Sequence, residues 1–226
     1  MPIKAMLVDF YGTLVREDDG LIRDLSRRVS ETTPRIVAPG DVAHFWWETM
    51  AALFRDHSGI RWRSMAELEE QALTEVAERF ESHIDIRAAL NDIMLSWQRP
   101  VAFSDTRQFM TNLPLPICVV ANGDRETIAA AIAHTHLEVQ AVVTSEDARS
   151  YKPDLGIFYQ AMKVMGVKAS EALLVGDSLQ FDIQPAQSAG MYTVWVNRTG
   201  RPLGSRCLPD ATCDNLQQLR SMIRSR

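Results

Sequence analysis

Lysine is the scarcest charged residue in this 226-residue chain. Only four lysines occur, against twenty arginines, and none lies between Ala5 and Tyr151. Chemistry that needs a lysine amine within that stretch is therefore excluded. Cysteine is also rare, because three residues cannot build a disulfide framework, and the odd number favours a reducing compartment.

Long hydrophobic runs are missing as well. No apolar run approaches the roughly 20 residues of a membrane span, and the apolar stretch near the N-terminus is too short for a signal peptide. A net charge of -5 disfavours non-specific binding to nucleic acid or anionic lipid. Because 46% hydrophobic and 23% charged residues are ordinary values, a disordered or fibrous chain is excluded. We expect a cytoplasmic globular protein whose partner is a small molecule, and the sequence leaves its oligomeric state open.

Short apolar runs alternate with helical patterns over much of the chain. The predicted strands are Ile3–Val8, Ile117–Val120, Ala141–Val143, Leu173–Val175 and Tyr192–Val196. The helical patterns that follow most of them are Arg125–Thr135, Leu155–Met165, Leu179–Ala189 and Asn215–Ile223. Runs this short and this apolar are typical of strands buried on both faces. The alternation predicts an α/β fold with a doubly wound parallel sheet.

Residues 16–99 have a different sequence pattern, without a convincing strand. Four amphipathic patterns lie at Leu21–Val29, Val42–Phe54, Met65–Phe80 and Ile86–Trp97, separated by proline and glycine. We interpret this stretch as an all-helical cap inserted after the first strand, with residues 1–15 and 100–226 forming the catalytic core. Within the third pattern, we expect the acidic run of Glu67, Glu69 and Glu70 to be a solvated helix face.

Polar residues follow four of the predicted strands. The segments are Asp9-Phe10-Tyr11-Gly12-Thr13-Leu14, then Ala121-Asn122-Gly123-Asp124, then Lys152-Pro153, and finally Gly176-Asp177-Ser178 with Asp182 one helical turn later. Each fragment alone is also common in ordinary turns, where Asp, Asn and Gly are frequent. In open α/β sheets, however, ligands bind beyond the carboxyl ends of the strands, so their order and placement together predict one site.

These motifs resemble those of the haloacid dehalogenase superfamily, and the resemblance covers essentially the whole chain. Most members are phosphatases with an aspartate nucleophile in a D-x-D-x-T motif after strand one and a hydroxyl residue after strand two. A lysine and a G-D-x-x-x-x-D pair that holds Mg²⁺ complete the set. The resemblance implies a Rossmann-like core, a helical cap, Mg²⁺ as cofactor and a phosphorylated small molecule as substrate.

The resemblance also implies a role for each motif residue. Asp9 would be the nucleophile, Thr13 would hydrogen-bond it or the substrate, and Lys152 would keep it ionised. The implied metal ligands are Asp9, the Tyr11 carbonyl, Asp177 and, directly or through water, Asp182. The implied substrate-binding positions are Tyr11, Gly12, Asn122 and Gly123.

Two departures from the phosphatase pattern leave alternatives open. Tyr11 stands where phosphatases carry the second aspartate, a general acid that contributes typically about 10²–10⁴-fold. Ala121 stands where a hydroxyl residue is usual. The Asp-x-Tyr-Gly-Thr-Leu pattern looks like that of the L-2-haloacid dehalogenases, which are metal-free. The alternatives are therefore a dehalogenase-like hydrolase, or a degenerate member that binds a phosphorylated ligand without turnover.

Charge favours the phosphatase. Asp9, Asp177 and Asp182 would place three carboxylates in one cleft with only Lys152 opposing them, and without a dication they would push one another toward protonation. The dehalogenases instead carry uncharged residues at positions 176–178, a tyrosine where Phe158 lies and an arginine where Trp47 lies. A relative that forms a Schiff base through a cap lysine, phosphonoacetaldehyde hydrolase, is excluded because residues 16–99 contain no lysine. We therefore expect a Mg²⁺-dependent phosphatase that forms an aspartyl-phosphate at Asp9.

Overall fold

A six-stranded, fully parallel sheet forms the centre of the computed structural model, which describes residues 2–17, 19–111, 113–203 and 208–224. The strand order is β3-β2-β1-β4-β5-β6. The strands are β1 (Ala5–Val8), β2 (Ile117–Ala121), β3 (Ala141–Thr144), β4 (Ala172–Gly176), β5 (Tyr192–Val196) and β6 (Ala211–Cys213). The order reverses on either side of β1, so the predicted doubly wound sheet is confirmed and its ligand-binding edge lies at the end of β1.

Both faces of the sheet are buried, which explains the continuous apolar runs. Along β1, Met6 and Val8 pack into one hydrophobic cluster with Phe109, whereas Leu7 packs into another with Phe158. All four residues of β1 are fully buried. Side chains of neighbouring residues point to opposite faces of a strand, so each face requires its own apolar set.

The first four described helices follow β1 and precede α5 (Thr106–Met110). They are α1 (Asp19–Thr32), α2 (Pro39–Asp56), α3 (Met65–Phe80) and α4 (Ile86–Gln98), with a short 3-10 turn at Gly59–Arg61. We call them the helical insert. It has a hydrophobic cluster of its own, in which Trp46, Met50 and Leu68 are buried. The helices predicted after the first strand are therefore present, while their role as a cap domain over residues 16–99 stays a prediction.

The remaining helices cover the two faces of the sheet. They are α5 (Thr106–Met110), α6 (Arg125–Thr135), α7 (Ser145–Ala148), α8 (Gly156–Met165), α9 (Gln184–Ser188) and α10 (Leu216–Arg224), with a 3-10 turn at Ala169–Glu171 and a π-helical turn at Leu179–Ile183. Among the described residues, no helix is long and apolar enough to cross a bilayer. Cys118 and Cys213 are buried free thiols, and Cys207 lies outside the described residues.

Four elements differ from the sequence prediction. The edge strand β6 was not predicted, because three residues are too short to show alternation, and the four-residue α7 and five-residue α5 are equally short. The predicted helix over Leu179–Ala189 begins with the π-helical turn before α9 continues. In that turn the amides of Asp182 and Ile183 both donate to the Ser178 carbonyl, at 3.0 and 3.1 Å.

Asp105 and Arg198 connect the loop after β1 with the segments that follow β5 and β6. Its carboxylate accepts two hydrogen bonds from the Arg198 guanidinium, at 3.1 and 3.2 Å, and one from the Leu216 amide at 2.7 Å. The same guanidinium donates to the Thr13 carbonyl at 2.8 Å. The ion pair of Arg198 with Asp105 therefore fixes the main chain of Thr13, within the first motif.

Asp105→Asn is expected to lower the free energy of unfolding by about 3 kcal/mol, because Arg198 would stay buried without a counter-charge. Urea denaturation measures the loss. Asp92→Asn is the matched control, since its ion pair with Arg28 is exposed and should cost less than about 1 kcal/mol. Equal losses in the two variants would contradict the assignment.

Candidate active site

The centre of the site is the buried ammonium group of Lys152. Its Nζ lies 2.6 Å from Asp9 Oδ1 and 2.7 Å from Asp182 Oδ1. Lys152, Asp9 and Asp182 are 3%, 7% and 1% exposed. The three predicted residues therefore meet in one place, at the carboxyl edge of the sheet.

The electrostatics of this group follow from burial. Burial alone lowers the pKa of Lys152, but Asp182 and Asp9 outweigh it and raise that pKa above its ordinary value, so the ammonium stays charged. Burial is also the largest influence on Asp9: together with Asp182 and Asp177 it raises the pKa of that carboxyl, against the opposing effect of Lys152. The lysine alone does not secure an ionised Asp9.

A glycine and the π-helical turn bring Asp182 to the lysine. A Cβ on Gly176 would lie 2.6 Å from the Asp182 side chain, so only glycine leaves room for that carboxylate. Asp182 Oδ2 accepts from the Ser178 amide at 3.1 Å, while Oδ1 accepts from Lys152. Both carboxylate oxygens of Asp182 therefore accept hydrogen bonds from the protein, and one of them holds the Lys152 ammonium group in place.

Asp177 is placed differently, because it pairs with an arginine that the sequence analysis did not single out. Arg201, in the loop after β5, donates to the Asp177 carboxylate at 3.0 Å and to its main-chain carbonyl at 2.6 Å. The Trp195 indole donates to the same carbonyl at 2.7 Å. Lys152 is thus not the only cation opposing the three acids, and that part of the charge argument was wrong. The sequence signal that could have identified Arg201 was the end of the predicted strand Tyr192–Val196, which lies at the same edge of the sheet and is followed by Arg198 and Arg201.

The three acids form a candidate metal centre. One carboxylate oxygen from each of Asp9, Asp177 and Asp182 lies within 4.8 Å of the others. Asp9 Oδ2 is buried without a hydrogen-bond partner. Gly12 has φ +87°, and a Cβ there would lie 2.7 Å from Asp177 Oδ1, so this glycine keeps space open beside the carboxylate. Hard oxygen donors around such a space suit Mg²⁺.

Tyr11 links the loop after β1 to the helical insert. Its hydroxyl donates to the main-chain carbonyl of Trp97 at 2.6 Å. Burial, together with Asp9, raises the pKa of Tyr11 above its ordinary value. Its proton is therefore held by the insert, and the position lacks the carboxyl group of a general acid.

The remaining predicted residues are placed around this centre. Thr13 is fully buried, and its hydroxyl has no hydrogen-bond partner. The Asn122 side chain accepts from the Lys152 amide at 2.8 Å and donates to the Lys152 carbonyl at 3.2 Å, so it holds the lysine backbone. The Gly123 amide donates to Ser145 Oγ at 2.9 Å. Substrate contacts by Gly12, Asn122 and Gly123 stay predictions.

A cavity lies between the sheet edge and the helical insert. The core contributes Asp9, Tyr11, Glu17, Asn122, Lys152, Asp177, Ser178, Phe181 and Asp182 to its lining. The insert contributes Ile22, Trp46, Trp47, Met50, Phe54, Met65, Glu69 and Trp97. The polar residues of the sequence motifs therefore lie on one wall, and a largely apolar, tryptophan-rich wall faces them.

The expectation of a solvated acidic face on α3 is wrong for Glu69, which is fully buried. Glu67 and Glu70 are exposed. Glu69 shares the inward face of the helix with Met65 and Ala72, four residues before it and three after it. Helical spacing was the signal that could have separated this glutamate from its neighbours.

Comparisons with known proteins agree with this arrangement. A family model described as haloacid dehalogenase-like hydrolase matches residues 3–190. The N-acylneuraminate-9-phosphatase of Mus musculus is 30% identical over 136 residues, which are 57% of this chain and 54% of the phosphatase. This chain thus spans about half the length of that relative. The (S)-2-haloacid dehalogenase 4A of Burkholderia cepacia is 24% identical over 208 residues, 88% of this chain and 85% of the dehalogenase.

The fold has a close counterpart among solved structures. The crystal structure of the L-2-haloacid dehalogenase RSc1362 superposes with a TM-score of 0.83 and covers 99% of this chain and 100% of its own. The sequence identity is 20%. At that identity the likeness establishes the shared fold and nothing about the reaction.

Tyr11→Phe is expected to lower the free energy of unfolding by about 1–3 kcal/mol, because the Trp97 carbonyl loses its donor within a partly buried contact. Tyr159→Phe removes a hydroxyl from an exposed tyrosine and should change stability by less than about 0.5 kcal/mol. Chemical denaturation of both variants measures the difference. A Tyr11→Phe protein as stable as the control would argue against the contact with the insert.

Proposed function

The chain belongs to the haloacid dehalogenase-like hydrolases, and we propose that it is a Mg²⁺-dependent phosphatase that forms an aspartyl-phosphate at Asp9. One observation carries the proposal: Asp177 brings a third carboxylate within 4.8 Å of Asp9 and Asp182. A metal-free reaction gains nothing from that additional negative charge. The phosphatase relative supports the same reaction class.

The charge balance supports a divalent cation. With Lys152 and Arg201 counted against the three carboxylates, the ionised cluster retains one negative charge. A phosphate ester would add one or two more, and like charges at this distance repel strongly in a buried site. A dication held by these carboxylates would reverse the sign of the cluster and would favour the approach of a phosphoryl group.

The residues available to hold Mg²⁺ are Asp9 and Asp177, each with an oxygen not already committed to Lys152 or Arg201. The Tyr11 carbonyl is the third proposed ligand. Asp182, whose oxygens accept from Lys152 and Ser178, is proposed to act through a water molecule. The bound ion would neutralise phosphoryl oxygens and keep the carboxylates ionised.

The proposed reaction has two displacement steps. A carboxylate oxygen of Asp9 attacks phosphorus, a new P–O bond forms, and the bond to the leaving group breaks. Lys152, hydrogen-bonded to Asp9, stabilises the carboxylate and the negative charge of the transferring group. Water then attacks the phosphorus of the aspartyl-phosphate, which releases inorganic phosphate and restores Asp9.

Asp9→Asn is expected to lower phosphate release by about 10³-fold or more, because an amide cannot form the acyl phosphate. Turnover by the unaltered protein should disappear on chelation and return with Mg²⁺. Phosphate release is measured over sugar, nucleotide and acyl phosphates.

Two other results would redirect the proposal. Halide release from a 2-haloacid without metal would place the chain with the dehalogenases. Retained binding of a phosphorylated ligand without any turnover, in both the unaltered protein and Asp9→Asn, would identify a binding module.

A second expectation concerns the leaving group. The Tyr11 hydroxyl donates its hydrogen bond to the Trp97 main-chain carbonyl. Because this position carries no carboxyl group, the leaving oxygen departs without a carboxylic acid beside it. We therefore propose that good leaving groups, such as those of acyl phosphates, anhydrides and sugar 1-phosphates, react faster than simple alkyl esters.

Rates on aryl phosphates of graded leaving-group pKa are expected to rise steeply as that pKa falls. In Tyr11→Asp, a carboxyl group at the position of the family's general acid should flatten the dependence, since protonation typically contributes about 10²–10⁴-fold. The measurement is the slope of log(kcat/KM) against leaving-group pKa in each protein. A flat dependence in the unaltered protein would refute the assignment.

A further inference from the structure

Glu69 is a buried carboxyl group that the proposed reaction does not use. Its side chain is fully buried on α3 and lines the cavity on the wall opposite the acids. Oε2 accepts from the Trp46 indole at 3.2 Å, while Oε1 has no hydrogen-bond partner. Among the described residues, no cationic side chain forms an ion pair with it.

Folding alone does not explain an acid at this place. Burial raises the pKa of Glu69 to about 8, although the Trp46 hydrogen bond works in the opposite direction. A half-satisfied buried carboxyl group is destabilising, and an apolar residue of similar size would avoid that cost. The other inward residues nearby on this helix are apolar, as Met65, Leu68 and Ala72 show.

The surroundings of Glu69 favour one kind of ligand. Three tryptophans line the cavity together with it: Trp46, Trp47 and Trp97. Trp46 and Trp47 are in edge-to-face contact, with ring centroids 4.6 Å apart. Tryptophan faces attract cations through the quadrupole of the ring. A carboxyl group beside them can supply the counter-charge that a desolvated cation requires.

The charge of the whole cavity points the same way. Its lining contains five acidic residues and one basic residue, Lys152, which is already bound to two of the acids. An anionic leaving group would meet no cationic side chain on the wall that the insert contributes. A cationic group would meet an aromatic surface with an unpaired carboxyl oxygen.

We propose that the leaving group of the substrate carries a cationic nitrogen, and that Glu69 with the tryptophans of the helical insert is its binding site. The inference rests on the proposed phosphatase function, because it assigns the organic part of the same substrate. The phosphoryl group lies at Asp9, and the ammonium-bearing part extends toward the insert. Glu69 is thus a specificity-determining residue.

Ligand binding tests the site without turnover. The probes are choline and its uncharged isostere 3,3-dimethylbutan-1-ol, titrated in buffer containing Mg²⁺ while tryptophan fluorescence is recorded. Choline is expected to bind at least tenfold more tightly than the alcohol. Equal affinities in the unaltered protein would overturn the proposal, whatever the variants do.

Two variants locate the effect. Glu69→Gln keeps the shape and an acceptor for Trp46 but removes the ionisable group, so the preference for choline should fall by about tenfold. Glu70→Gln, an exposed neighbour on the same helix, is the control and should keep the preference. Loss of the preference in both variants, or in neither, would contradict a role for Glu69.

Kinetics then separates this inference from the proposed function. The ratio of kcat/KM for choline phosphate to that for 3,3-dimethylbutyl phosphate should exceed ten and fall in Glu69→Gln. If neither ester nor any other phosphate is hydrolysed but choline still binds preferentially, the phosphatase proposal fails and the cation site stands. If phosphate is released from both esters at equal kcat/KM, the phosphatase stands and the cation site fails.

Discussion

The ammonium group of Lys152 is the contact around which the carboxyl edge of the sheet is arranged. Asp9 reaches it directly after β1 and Asp182 reaches it from the π-helical turn, at 2.6 and 2.7 Å. Asn122, after β2, holds the lysine main chain by both atoms of its amide group. Three strand ends thus converge on one residue. Since a lone charge in this buried position would be costly, the lysine and its two carboxylates depend on one another for their positions.

Asp177 stands apart from that mutual arrangement. Its cation, Arg201, is 51% exposed, and ion pairs open to solvent contribute little. The position of Asp177 is set by its main chain, through the Trp195 indole, and by the absence of a side chain at Gly12. Its carboxylate can therefore exchange a weakly held partner for another cation. Asp182, with both oxygens engaged, lacks that freedom.

Sequence alone predicts the strands and helices whose apolar residues recur at a regular short spacing. Apolar runs located five of the six described strands, and helical spacing located α6 and the four helices of the insert, because burial on one face leaves a periodic signal. Long-range partners left no such signal: the hydrogen bond from Tyr11 to the Trp97 carbonyl spans 86 residues. Arg201 was missed for the same reason. Glu69 was missed because charge was given more weight than its place in the helical repeat.

The contacts that hold the helical insert over the site do not depend on which side chains the insert residues carry. Tyr11 donates to the Trp97 carbonyl, Tyr151 donates to the Arg63 carbonyl at 2.8 Å, and Asp124 accepts from the Met65 amide at 2.8 Å. In each case a core side chain binds a main-chain atom of the insert. Such contacts form whatever side chain the insert residue carries. The insert can therefore change the residues that face the cavity while these contacts with the core remain.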